Sequence, residues 1–180
     1  MILIKTIFTG ILLSAFAVNS SIYDYNVPKI EGGNQSLLAS QGKKILIITL
    51  PVQQNIQADS LLYCLDTLAA ARQTTSSVIA VPSYEDGYQP SQKEQLKNWY
   101  RSKLGSYISI TDGLYTRKSS AGQHDLFKWL TDIEKNGTFD MDVEGPGHKF
   151  FVRENGELYG SLVPETKMGG KAVQKTLQMP

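Results

Sequence analysis

The sequence is poor in cysteine and histidine: among 180 residues there is one cysteine, Cys64, and there are two histidines, His124 and His148. A single thiol excludes an internal disulfide and a dithiol redox cycle within one chain. The two histidines lie far apart, so no His-x-x-x-His or Cys-x-x-Cys spacing offers ligands to a metal ion. The sequence therefore predicts neither a metal site nor a cofactor site.

The chain also lacks an excess of charge of either sign. Its formal net charge is +1, and its Lys and Arg residues are dispersed. The densest basic groups, Lys43–Lys44 and Arg117–Lys118, are too short to form a groove for a polyanion. A glycine-rich phosphate loop and a Ser-His-Asp order are missing as well. We therefore expect no nucleic-acid partner.

One long apolar run is present, and it lies at the amino terminus. A single cation, Lys5, precedes an uncharged stretch from Thr6 to Val18, which small residues follow. The stretch is too short to span a bilayer and is typical of a secretory signal. We predict that residues 1–20 are removed, which leaves a secreted or periplasmic domain over 21–180 with no integral membrane segment. A first core element and an uncleaved anchor are the alternatives.

Strand-like and helix-like patterns alternate through the rest of the chain. An uninterrupted apolar run over 44–51 predicts a central strand that is covered on both faces, and the segment over 76–83 predicts a second buried strand. A turn at 31–34 predicts an N-terminal hairpin, and Asn155–Gly156 predicts a second hairpin near the end. Apolar periodicity and helix boundary signals predict helices over about 58–72, 90–105, 122–137 and 168–178.

This order of elements indicates the fold class. A parallel β-α-β unit is followed by an antiparallel hairpin, and helices are available for both faces of one sheet. The prediction is an α/β protein with a thioredoxin-like fold: a central mixed β-sheet flanked by helices, with an N-terminal β-hairpin.

Over nearly the whole of 21–180 the pattern resembles the glutathione peroxidase family. The similarity is carried by "SIYDYNVPKIEGGNQSLLASQGKKILIITLP", "VIAVPS", "GLYTRKSSAGQHDLFKWLTDIEKNG" and "HKFFVRENGELYGSLVPET". The resemblance implies a thioredoxin fold. For an active member it also implies peroxide reduction by a cysteine or selenocysteine, whose anion is stabilised by Gln and Trp side chains, a nearby Asn and a helix amino terminus.

The chain departs from that pattern at each position expected to do the chemistry. The family's nucleophile falls on Gln54, and its Asn-Gln pair falls on Tyr84 and Glu85. Its Trp-Asn pair falls on Gly145 and Pro146. The resolving cysteine that some members carry falls near Tyr100. An amide cannot attack peroxide, so Gln54 does not replace the lost nucleophile. The resemblance therefore implies a retained scaffold without its peroxidatic centre.

Cys64 is the candidate for a replacement thiol. On the predicted helix it lies about 15 Å along the axis from the nucleophile position. It flanks an apolar stripe that contains Leu61, Leu62 and Leu65, where a thiol is usually a small buried hydrophobe. A structural cysteine is the expectation, and a working thiol is the alternative.

Other side chains have both a functional and a structural interpretation. His148 has two interpretations: it borders the position of the peroxidatic centre and acts there as an acid or base, or it is a surface histidine at the start of a strand. Glu85–Asp86 follow a central strand, at the end where α/β sheets place ligands. One interpretation is that they bind a cation or an amine. The other is that they only form a turn that ends at Gly87. Three aromatic residues either line a surface for a partner or pack against the loop: Tyr84, Tyr88 and Trp99.

Two functions from different classes follow. The first is an exported glutathione peroxidase-like protein that is not an active peroxidase. It acts as a binding or interaction module, using the pocket around Gln54, Glu85 and Pro146 for an unknown protein or small molecule. The alternative is a thiol-dependent peroxidase or oxidoreductase that reduces peroxide in an oxidative stress response through Cys64. The reactivity of the thiol separates the two.

Overall fold

Seven strands form two sheets in the part of the chain that the structure, a computed structural model, describes, residues 21–179. The predicted signal segment over 1–20 lies outside the described residues. The strands are β1 (Asn26–Pro28), β2 (Asn34–Ser36), β3 (Lys44–Leu50), β4 (Ser76–Pro82), β5 (Ile108–Ile110), β6 (Lys149–Val152) and β7 (Leu158–Leu162).

The central sheet is mixed and has the strand order β5-β4-β3-β6-β7. β3 runs parallel to β4, and β4 runs parallel to β5, whereas β6 is antiparallel to both β3 and β7. β1 and β2 pair separately as an antiparallel hairpin. These findings confirm the predicted mixed sheet and the N-terminal hairpin.

β3 is apolar throughout because both of its faces are covered. Side chains alternate between the faces of a sheet. Ile45 and Ile47 therefore enter one core, whereas Leu46, Ile48 and Leu50 enter the other. This central position explains the uninterrupted apolar run in the sequence.

Five helices cover the two faces of the central sheet. They are α1 (Ile56–Arg72), α2 (Lys93–Lys103), α3 (Asp125–Thr131), α4 (Ile133–Asn136) and α5 (Lys171–Gln178). Buried residues of α1, α2 and α5 share one core with the even-numbered side chains of β3. Buried residues of α3 pack on the opposite face, beside the N-terminal hairpin. Within residues 21–179, no helix combines the length and the apolar character needed to cross a membrane.

The helix predicted over 122–137 is broken into α3 and α4, and this part of the prediction was wrong. Asp132 has extended backbone angles, φ −116° and ψ 116°, and its side chain accepts a hydrogen bond from the Glu134 amide. An aspartate that bonds the amide two residues ahead starts a new helix and ends the old one. After the break, Ile133 at the start of α4 is 47% exposed.

Candidate functional site

A groove of about 1050 Å³ opens where β3 ends and α1 begins. The loop over 51–55 and the first turns of α1 form one wall, and the segment over 164–170 that leads to α5 forms the other. The size fits a small-molecule site, for which volumes of roughly 300–1,000 Å³ are usual. Its lining is predominantly apolar and includes Val52, Ile56, Leu61, Cys64 and Met168.

The loop over 51–55 is held in place from both sides. Asn55 caps α1, because its Oδ1 accepts a hydrogen bond of 2.8 Å from the Ala58 amide. Tyr100, on α2, donates its hydroxyl to the Pro51 carbonyl at 2.8 Å. The residue near the resolving-cysteine position therefore supports the groove wall.

Gln54 lies on the exposed part of this loop, while its neighbours Gln53 and Asn55 line the groove. The backbone thus presents the residues beside the nucleophile position to the groove, and Gln54 itself is not among the lining residues.

Cys64 is half-buried and lines the groove, whereas the sequence predicted a structural cysteine beside the apolar stripe. Its sulfur packs against the opposite wall: a Cβ added to Gly169 would lie 3.3 Å from Sγ. The cysteine also packs against the core between α1 and the sheet. The thiol therefore forms part of the groove surface.

Glu85 anchors a distant loop and is not among the groove-lining residues. Its carboxylate accepts hydrogen bonds from the Ser83 and Ser120 hydroxyls and from the Thr116 and Arg117 amides. Burial alone would raise the pKa of Glu85, but these hydrogen bonds outweigh it and lower the pKa to about 2 from an ordinary 4.5. We call these residues the Glu85 cluster.

Asp86, the next residue, does line the groove. Its Oδ1 accepts a hydrogen bond of 2.7 Å from Nη2 of Arg117, and its side chain is only 5% exposed. Its Oδ2 has no hydrogen-bond partner among the described residues. Burial raises the pKa of Asp86, Arg117 opposes that shift, and the Glu85 charge adds to it.

Gly145 and Pro146, the two positions on which the resemblance places a Trp-Asn pair, belong to a glycine turn before β6. Gly145 and Gly147 have positive φ angles of 149° and 90°, which side chains of L-residues rarely adopt. The Thr49 hydroxyl fixes the turn by donating to the Gly145 carbonyl at 2.6 Å. Pro146 lines the groove, and Nη2 of Arg117 lies 4.0 Å from where a side chain on Gly145 would begin.

His148 is buried, although a surface position was the commoner expectation. Its Nδ1 accepts a hydrogen bond from the Glu144 amide at 3.3 Å, so Nε2 carries the proton and donates to the Ser161 hydroxyl at 2.9 Å. Burial first, and the Lys149 charge second, lower the pKa of His148 to about 4. A neutral imidazole with both nitrogens bonded has a structural role here.

Lys149 is a buried cation that the sequence analysis missed. The side chain is fully buried, and Nζ donates to the Gly147 carbonyl and, at 3.5 Å, to the Val163 carbonyl. Burial lowers the pKa of Lys149 to about 8, against the attraction of Glu165. The lysine thus links the glycine turn, through the Gly147 carbonyl, to Val163, which directly precedes the second groove wall.

The three aromatic residues do not form a common surface. Tyr88 and Trp99 are buried in the core, and Trp99 donates its Nε1 hydrogen to Asp59 at 3.1 Å. Tyr84 is half-buried and stacks on Tyr115, with 4.6 Å between the ring centroids. Packing is therefore the correct interpretation for two of the three.

The second groove wall, over 164–170, was not predicted from the sequence. Pro164 and the pair Gly169–Gly170 mark a loop in the sequence, which is the signal that was available. Nothing in that signal says where the loop packs.

Within residues 21–179, no group of three or more His, Cys, Asp or Glu side chains is placed to hold a metal ion.

Comparison with known proteins gives a likeness in structure alone. No family model matches the sequence, and no curated protein matches it. Among solved structures, a protein named Trgpx in its apo form is 17% identical with a TM-score of 0.64, and the match covers 88% of this chain and 93% of that one. T. cruzi GPX1 is 12% identical with a TM-score of 0.59, covering 88% and 94%.

The exposed lipoprotein thioredoxin Etrx1 from Streptococcus pneumoniae is 19% identical with a TM-score of 0.56, and the match covers 86% of this chain and 97% of that one. Identities this low carry an argument about architecture only. They confirm the predicted class: the chain has a thioredoxin-like fold.

Proposed function

We propose that the chain is an exported, glutathione peroxidase-like protein that binds an apolar ligand in the groove and does not reduce peroxide. One observation supports this most directly. The loop over 51–55, where the resemblance places the nucleophile, contains no sulfur and instead forms a wall of the groove. A site for redox chemistry has in this way become part of a binding surface.

The groups that would stabilise a peroxidatic anion are also missing from their positions. Gly145 has no side chain that can donate a hydrogen bond. Glu85 is an acceptor whose carboxylate already accepts hydrogen bonds from four residues. A negatively charged intermediate at the loop would therefore meet neither donor.

A thiol oxidoreductase acting through Cys64 is the second candidate, because the thiol lines the groove that a substrate would enter. Its position on α1 speaks against this. Cys64 lies more than two turns beyond Ile56, whereas the positive end of a helix stabilises a thiolate only within about the first turn.

Ligand binding is tested by titrating purified protein with 1-octanol and following the backbone amides by NMR. We expect shifts at Ile56, Leu61 and Met168. Ile56 is 85% exposed, so Ile56→Ser leaves the fold intact while it weakens octanol binding roughly tenfold. Ile133→Ser, the same change at an exposed site on α4, is the control. Absence of binding, or shifts confined to other surfaces, would contradict the proposal.

Export is tested separately by sequencing the amino terminus of protein recovered from its native compartment. We expect it to begin between about Val18 and Ile22, because the small residues there fit signal cleavage. An intact Met1 on the bulk of the protein would overturn the export proposal and leave the binding proposal standing.

A further inference from the structure

Lys149 is a buried cation at a position where a central strand usually has an apolar residue. It begins β6, where it pairs with Ile48 of β3 and with Leu162 of β7. Its side chain lies on the same face of β6 as that of Phe151, which belongs to the core beneath α1. The side chain is fully buried. An apolar side chain of the same length would fill this position without a buried charge.

The fold compensates the charge of Lys149 only in part. None of the ion pairs over residues 21–179 includes this lysine. Burial outweighs the attraction of Glu165 and lowers the pKa of Lys149 to about 8. Replacing buried ionic groups with apolar residues of similar size is often neutral or stabilising. The stability of the fold alone therefore does not account for a lysine at this position.

The glycine turn before β6 touches both walls of the groove. A Cβ added to Gly147 would lie 3.1 Å from Cδ1 of Leu61, on α1, and 3.7 Å from Cα of Pro164, in the second wall. Gly147 also donates its amide to the Thr49 carbonyl at 2.8 Å, which fixes the turn to the end of β3. The turn is therefore a fixed spacer between the two walls.

The ammonium of Lys149 fastens the second wall to this spacer. Nζ donates to the Gly147 carbonyl and, at 3.5 Å, to the Val163 carbonyl. The Val163 carbonyl also accepts the Thr166 amide at 3.1 Å, in the turn with which the second wall begins. Hydrogen bonds from a charged donor are stronger than those from a neutral one. One cation thus joins the glycine turn to the base of the second wall.

We infer that Lys149 is a positioning residue of the groove, whose ammonium holds the second wall against the glycine turn and so keeps the groove in its binding shape. The lysine is fully buried and is not among the groove-lining residues, so it acts without touching the ligand. The inference rests on the proposed function, because it explains how the groove is shaped before a ligand enters. A groove shaped in advance binds more tightly, since no segment has to be ordered on binding.

The first test compares binding and stability in Lys149→Met at pH 7. Calorimetric titration with 1-octanol should show about fivefold weaker binding, an effect of the size that residues without ligand contact exert. Urea denaturation should show a midpoint no lower than that of the unaltered protein, because methionine fills the site without a buried charge. Lys128→Met removes an exposed lysine paired with Asp125 on α3, and this matched control should change neither quantity.

The two results together decide the role of the lysine. Weaker octanol binding with undiminished stability supports the inference, because loss of a merely structural lysine would lower stability as well. Unchanged octanol binding in Lys149→Met would overturn it. A variant that is destabilised or does not fold would also overturn it, since Lys149 would then hold the fold as a whole.

The second test needs no ligand. Hydrogen exchange followed by NMR in Lys149→Met should be faster at the Thr166 amide, because the Val163 carbonyl that accepts it is no longer held. The Gly156 amide, which donates to Arg153 in the turn between β6 and β7, is the internal control and should keep its rate. An unchanged rate at Thr166 would contradict the inference. If the unaltered protein does not bind 1-octanol, the proposed function falls, and this measurement alone decides whether Lys149 holds the second wall.

Discussion

Glu85 and Asp86 are adjacent in sequence, yet they belong to two regions with opposite properties. In the Glu85 cluster, polar groups from two separate segments satisfy one carboxylate with short hydrogen bonds. In the groove, Asp86 keeps an oxygen without a partner among the described residues, and apolar side chains such as Ile56 stay exposed. The first region stabilises the fold, whereas the second retains unsatisfied groups.

The two carboxylates therefore differ in how many hydrogen-bond donors the folded chain supplies to them. A carboxylate after a central strand can have both oxygens hydrogen-bonded within the fold, as Glu85 has, or keep one oxygen without a partner among the described residues, as Asp86 does. We therefore expect changes in the Glu85 cluster to alter stability and changes in the groove to alter binding. The predictions below run from the largest expected effect to the smallest.

Glu85→Gln should produce the largest loss of stability. The substitution removes the negative charge of a carboxylate that accepts hydrogen bonds from four residues. Hydrogen bonds to charged groups stabilise more than hydrogen bonds between neutral groups, so we expect a loss of about 3 kcal/mol in the free energy of unfolding. Urea denaturation measures it. Glu157→Gln, in an exposed ion pair with Arg153, is the control and should cost less than about 0.5 kcal/mol.

The same substitution should alter the pH dependence of stability. The folded pKa of Glu85, about 2, lies below its unfolded value near 4.5. Its stabilising contribution is therefore present above pH 4.5 and is lost as the pH falls toward 2. Glu85→Gln should flatten that part of the stability curve. An unchanged curve together with unchanged stability would show that the cluster does not hold the fold.

His148 controls a different pH window. Its folded pKa, about 4, lies below the ordinary value of 6.5, because burial first, and the Lys149 charge second, disfavour the imidazolium. Protonation favours the unfolded chain, so its contribution is complete above pH 6.5 and is lost as the pH falls through 4. His148→Gln should remove a slope worth on the order of 2 kcal/mol between those values.

Measurement of unfolding at several pH values between 7 and 4 tests this prediction, and an NMR titration of the ring gives an independent readout. A ring that titrates near pH 6.5 in the folded protein would contradict the buried, neutral assignment. It would also reopen the interpretation of His148 as an acid or base at the site.

These effects show what the sequence could and could not predict. The apolar run of β3 indicated a strand covered on both faces, and the turn signals located both hairpins. The direction of the Glu85 side chain was not predictable, because the Thr116 and Arg117 amides that fix it come from more than thirty residues away. The burial of His148 likewise depends on Ser161 of β7.

The groove was predicted only in part, because tertiary packing decides which residues line it. Pro146 lines the groove, as the predicted pocket around Gln54, Glu85 and Pro146 implied, whereas Cys64 was expected to be a structural cysteine and lines the groove as well. Asp86 replaces Glu85 in the lining, since neighbouring side chains leave a loop in different directions. The segment over 164–170 joins the site only through tertiary packing, for which a local pattern carries no signal.

Cys64→Ala should have a small effect on stability and should weaken octanol binding less than Ile56→Ser does. The thiol is half-buried against Gly169, so its loss leaves a small gap worth about 1 kcal/mol. In the unaltered protein, alkylation of Cys64 should be slower in the native state than in denaturant, and bound 1-octanol should slow it further. Labelling as fast as that of a small free thiol, with or without octanol, would place the sulfur outside the groove.

Peroxide turnover tests the central claim most directly, namely that the groove binds and does not catalyse. Purified protein is incubated with hydrogen peroxide and either glutathione or thioredoxin as the reductant, beside the Cys64→Ser variant. We predict that both proteins consume peroxide no faster than a reaction without protein, because the loop over 51–55 carries no nucleophile. Turnover by the unaltered protein that disappears in Cys64→Ser would contradict the account and establish a thiol peroxidase.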